Sequence, residues 1–140
     1  MATIKAFSDL EQSRKLAEIL PLESADMVYY KYANRPHKND LDSPTVFKNN
    51  NEWYWIDIYD KTPCGKDDIM AWSLAALIDV LPRFIEFKGD KYYLRFMKEY
   101  IEYANDEISI TGRCLHTTGN NNLVDACVTM IEKLNELKML

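Results

Sequence analysis

Apolar and polar residues recur along this chain with two distinct periods. Between Ser8 and Leu20, the residues Leu10, Leu16, Ala17, Ile19 and Leu20 supply one side of a helix. Ser8 and Glu11 have capping-box spacing, and Pro21 stops the run. A second stripe, Met70, Leu74, Leu77, Ile78 and Leu81, ends at Pro82. Ser73 is available there as an N-cap, which would leave Trp72 just outside the helix. A third helix follows Asn122, with Leu123, Cys127, Met130, Ile131, Leu134 and Leu137 on its apolar face. Asp125, Thr129, Glu132, Lys133 and Glu136 lie on its polar side.

The period of two marks the strands. Asp26–Tyr32 is aromatic and β-prone. In Glu52–Asp60, Trp53, Trp55, Asp57 and Tyr59 share one face, and Tyr54, Ile56, Ile58 and Asp60 share the other. Residues 35–51, rich in Asn, Asp and Lys with two prolines, read as a long mobile loop, and residues 61–68 as a turn-rich connector. Gly89-Asp90 marks a tight turn between residues 83–87 and 91–96. Tyr92–Ala104 fits two patterns. Lys91, Arg95, Lys98, Glu99 and Glu102 recur at helical spacing, while the density of Tyr, Phe and Ile favours strands, and a β-meander is preferred. Residues 107–118 read as a further strand, kinked at Gly112. Together these elements predict one α+β domain over residues 1–140. Three helices pack on an antiparallel sheet of about five strands, in the order αββαβββα.

Composition narrows the function. A chain of 140 residues buries roughly 68% of its unfolded surface and needs no metal or disulfide to fold. The net charge of −5 argues against a general nucleic-acid binder. The cluster Lys31, Arg35, His37 and Lys38 is short and ends at Asp40, as a solvated loop would. The start turns polar at once, and no apolar run approaches the ~20 residues of a membrane span. Three cysteines, an odd number, fit reduced thiols in a cytoplasmic protein.

The segment Thr117–Leu134 raises the question of an anion-gripping loop. It holds one glycine, Gly119, and no lysine before Lys133, unlike a phosphate loop. With Asn122 as N-cap, Asp125 falls at the third helical position, where its charge complements the helix dipole and repels a phosphate. The segment is therefore a turn, a cap and a core helix. Cys114 and His116, two apart, would share a strand face; with Cys64 and Cys127 they make the one set that could bind zinc, and Cys114 or Cys64 with His116 or His37 could supply a nucleophile and its base. The spacing matches no compact zinc pattern, and no third orienting group is evident. No metal, cofactor or catalytic residue is assigned, and whether these four side chains converge is left open. Asp57 and Asp60 fall on opposite strand faces, and Glu99 and Glu102 would cooperate only on a helix.

The segments Leu10–Met27, Ala71–Pro82 and Asn121–Leu134 resemble a group of small uncharacterised proteins of Bacteroides-type gut bacteria, often carried by prophages or mobile elements. The resemblance implies a setting and no activity. The strand-turn-helix over residues 108–134, with Gly119 and Ala126, is also similar to the HicB type of antitoxin. The expectation is a small accessory protein acting through protein contacts, with an unknown partner or a second copy, at the aromatic face of Trp53, Trp55, Asp57 and Tyr59. A small thiol or carboxylate enzyme and a HicB-like antitoxin partner are the alternatives.

Overall fold

A computed structural model describes residues 5–29, 45–46, 48–49, 52–53, 69–97, 100–106, 112–117 and 122–140. The α+β class and the predicted order of helices and strands are both present. Strands outnumber the expected five. Among the described residues nine short strands form antiparallel sheets of three, two and four strands. The chain divides into two compact units, Phe7–Ala76 and Met1–Ala6 with Leu77–Leu140.

In the first unit, helix α1 spans Leu10–Ile19. Its N-cap is Asp9, one residue later than expected: the Asp9 carboxylate accepts from the Gln12 amide at 2.8 Å and Gln12 Oε1 accepts from the Asp9 amide at 3.1 Å. A carboxylate with a glutamine partner outcompetes Ser8 and Glu11 because the Ser8 hydroxyl is committed elsewhere, to the buried interior. Leu16 and Leu20 are buried, whereas Ala17 is exposed. After a 3₁₀ turn at Leu22–Ser24, strand β1 (Met27–Tyr29) pairs with β2 (Thr45–Val46) on one side and β5 (Ile69–Ala71) on the other. Strands β3 (Lys48–Asn49) and β4 (Glu52–Trp53) form a separate pair. Short strands thus occur within the segment expected to be loop, and β4 begins where the predicted strand over 52–60 begins. The rest of that strand, and residues 61–68, lie outside the described residues.

Met70 and Ala71, expected to open the second helix, belong to β5 and are buried. Helix α2 is Leu74–Val80. Ser73 caps it as predicted, its Oγ accepting from the Ala76 amide at 3.2 Å. Asp26 in turn accepts from the Ser73 amide at 2.8 Å and from the Ser73 hydroxyl, so one carboxylate fixes the strand-to-helix corner. Ser8 ties the same region together. Its amide donates to the Trp72 carbonyl at 2.9 Å, and its Oγ accepts from the Trp72 amide at 3.0 Å.

In the second unit, Phe84–Phe87 (β6), Asp90–Phe96 (β7), Ile101–Ala104 (β8) and Arg113–His116 (β9) form a meander in the order β6-β7-β8-β9, as preferred from the sequence but with four strands where three were expected. The β6–β7 turn centres on Lys88-Gly89 rather than Gly89-Asp90. Both residues have positive φ, 52° and 84°, the geometry a two-residue hairpin needs to follow strand twist. Helix α3 spans Leu123–Glu136, and Asn122 caps it by accepting from the Asp125 amide at 2.9 Å. Its buried face is broader than the expected stripe: Val124, Ala126 and Val128 join Cys127, Met130, Ile131 and Leu134. Leu137 lies beyond the last helical turn and is exposed. α3 packs beside β8, and Lys133 Nζ donates to the His116 carbonyl at 2.7 Å, linking helix and sheet edge.

A candidate interaction face on the meander

The pairing register divides the meander into two unlike faces. Opposed residues lie on the same side of a sheet, and neighbours in a strand on opposite sides. Ile85, Tyr92, Leu94, Ile101, Tyr103 and Leu115 therefore share one side. Ile101 and Tyr103 are fully buried there, and the Tyr103 hydroxyl donates to the Pro82 carbonyl at 2.8 Å. Burial pushes the Tyr103 hydroxyl pKa upward, with the nearby Cys114 and Cys127 thiols adding to it.

Phe84, Lys91, Tyr93, Arg95, Glu102 and Ala104 occupy the other face. Two sets of contacts organise it. Toward β8 and β9, Glu102 sits between two guanidinium groups, with Arg95 Nε 3.8 Å from one oxygen and Arg113 Nη1 3.7 Å from the other. These separations are ionic contacts rather than direct hydrogen bonds. Glu102 is only 6% exposed. Arg95 also donates to Asp106, and this hydrogen bond with the Asp106 charge raises the arginine pKa further. Toward β6, the Phe84 and Tyr93 rings pair at 6.0 Å between centroids, and the Lys91 ammonium stands 4.7 Å over the Phe84 ring. Tyr93 is 55% exposed and Phe84 43%. An open recess of about 640 Å³ lies alongside, lined in part by Lys91, Tyr93, Arg95, Ala104 and Asp106. Aromatic anchor, charged rim and shallow recess make this face suited to a protein surface.

The residues chosen from sequence fare unevenly. The backbone of Trp53 lies in β4, while its side chain and Trp55, Asp57 and Tyr59 lie outside the described residues. Phe84 and Tyr93 were missed. The signal for them lay in the alternation on either side of Gly89, which places both opposite Ile85 and Tyr92 once the hairpin register is known.

The Cys114–His116 pair is split. A register shift between Tyr103 and Ala104 makes β9 bulge, so the residue spacing no longer maps onto one face. Burial raises the hydroxyl pKa values of Tyr92 and Tyr103, and Cys114 lies close enough to add to both. His116 instead opposes Glu102, with its ring edge-on to Tyr100 at 6.3 Å. Burial raises the pKa of the Cys114 thiol and pushes that of Cys127 up to about 12, away from the reactive thiolate. Cys64 lies outside the described residues, and among the described residues no group of three His, Cys, Asp or Glu side chains could hold a metal. Asp125, which the sequence placed against a phosphate, accepts from Asn122 Nδ2 and from Lys5 Nζ, each at 2.8 Å. No helix among the described residues is long and apolar enough to cross a membrane.

No family model, curated protein or solved structure matches the chain.

Proposed function

We propose that this is a small cytoplasmic accessory protein of a prophage or mobile element, working through protein–protein contacts at the outer face of the meander. One observation carries the reading: an exposed aromatic pair, Phe84 and Tyr93, set into an otherwise charged sheet face. Covering the exposed half of Tyr93 would remove on the order of 100 Å² from water, about 2.5 kcal/mol. The charges beside it are already matched, Arg95 to Glu102 and Asp106 and Arg113 to Glu102, which favours a shaped, partly apolar partner over a generic polyanion. The raised thiol pKa weighs against a cysteine nucleophile at Cys114. The resemblance of three segments to Bacteroides-type mobile-element proteins supplies the setting. The pattern of Trp53, Trp55, Asp57 and Tyr59 belongs to the proposal as a second contact face.

The test is site-specific photocross-linking in the native host, with the reactive group at Tyr93 and, as a control, at exposed Glu11. The expected result is a discrete protein adduct from position 93 that a Phe84→Ser change removes and position 11 never gives. Identical adducts from both positions, or none from position 93, would refute the reading.

A further inference from the structure

The free side of β6 carries a second and independent feature, which stands whether or not another protein docks on Tyr93. Among the described residues β6 is an edge strand of its sheet. In a two-residue hairpin the closing pair, here Phe87 and Asp90, exchanges backbone hydrogen bonds, and the bonded pairs then alternate. Ile85 with Tyr92 is the next bonded pair, and the Leu94 amide donating to the Arg83 carbonyl at 2.9 Å continues the same parity. Phe84 and Glu86 therefore stand in the non-bonded pairs, with their amides and carbonyls directed away from β7. Both residues are exposed. Such an edge is a template for another strand.

We infer that β6 pairs antiparallel with β6 of a second copy about a two-fold axis centred on Ile85. Parity and chemistry select this register. An axis between two residues would set an outward-directed residue against one whose backbone is already bonded to β7. An axis through Glu86 opposes two carboxylates directly. An axis through Phe84 sets Glu86 against Pro82, which has no amide to donate. Centred on Ile85, Phe84 of each copy meets Glu86 of the other, and all the outward amides and carbonyls of both residues are used. The side chains agree. Lys91 opposes Glu86 of its own chain and its Nζ stands over the Phe84 ring, so Glu86 of the second copy, opposite Phe84, adds a second carboxylate near that ammonium, twice by symmetry. On the other face Ile85 meets its own counterpart and extends the buried layer. The product is a continuous eight-stranded sheet with both Tyr93 faces on one side. A four-residue edge buries an area at the low end of specific interfaces, so the dimer dissociates on dilution.

Sedimentation velocity under reducing conditions tests this across a concentration series. The expected result is a reversible shift from 16.4 kDa toward twice that mass. Glu86→Pro removes only an outward amide, spares the β7 ladder, and should give a monomer with unchanged circular dichroism. Glu86→Lys should weaken association about 10-fold, and adding Lys91→Glu should restore it. A wild-type monomer up to about 1 mM, an unaffected Glu86→Pro dimer, or a charge swap that fails to restore pairing would each overturn the inference.

Discussion

Ser8→Ala offers a direct reading of what holds the first unit together. Ser8 and Trp72 are both fully buried, and the Ser8 Oγ accepts from the Trp72 amide at 3.0 Å while lying 2.8 Å from Ser13 Oγ. Removing the hydroxyl orphans a buried amide, which costs about 1–3 kcal/mol. It also leaves Ser13 with the Ser8 carbonyl at 3.5 Å, a poor substitute worth about 1 kcal/mol less. The variant should therefore lose about 2–4 kcal/mol. Ser13→Ala alone should lose only about 1 kcal/mol, because Ser8 keeps its bond from Trp72. The double variant should fall short of the sum by about 1 kcal/mol, since Ser13 no longer presents an ill-satisfied group. Urea unfolding measures all three as midpoint shifts at constant m-value. A Ser8→Ala loss below about 0.5 kcal/mol, or strictly additive losses, would show that the hydroxyl network is incidental.

Two further outcomes are expected. Cys127 has its pKa raised to about 12 and Tyr29 likewise, both chiefly by burial, so the folded state retains protons that the unfolded chain releases. Their contribution is complete below about pH 9 and declines from there toward pH 12. A stability profile from pH 7 to 11 should fall above pH 9, less steeply in Cys127→Ala, and a flat profile would contradict the assignment. Trp53→Ala with Trp55→Ala should weaken association while the circular dichroism melt holds, whereas unfolding of the pair would show that those rings are core.

Long-period patterns were legible in the sequence, and local competition was not. The α3 cap at Asn122 and the α2 cap at Ser73 could be read directly, because each serves one helix start with no rival nearby. At α1, Ser8 and Asp9 compete for the cap, and the winner depends on Trp72, a residue 64 positions away. Met70 fits a helical stripe equally well, yet Met70 and Ala71 pair with Val28 and Met27 in a sheet. Strand parity broke down at β9 for a similar reason. The register shift opposite Tyr103 and Ala104 separates Cys114 from His116, and a bulge leaves no mark in hydrophobic alternation. The candidate site failed to emerge because alternation assigns two faces without saying which one a helix will cover.

That distinction separates aromatic residues that hold the fold from those available to a partner. Three of the buried rings satisfy their polar atoms internally: Tyr29 to the Ser8 carbonyl, Trp72 to Ser24 Oγ and Tyr103 to the Pro82 carbonyl. A truncation there leaves both a cavity and an orphaned carbonyl or hydroxyl, so losses of about 3–5 kcal/mol are expected. Phe84 and Tyr93 touch each other across a non-bonded pair, and such a pair contributes only about 0.2–1 kcal/mol to the sheet. Most of their apolar area therefore does little for the isolated chain. It becomes useful only when something covers it, and the neighbouring ion network limits what that can be. Glu102 is paired with Arg95 and Arg113, so a docking surface that pulled either arginine away would remove an ion pair from a carboxylate held at 6% exposure. A partner of the proposed kind would have to contact the aromatic pair while leaving those two ion pairs intact, on the β6–β7 side of the face.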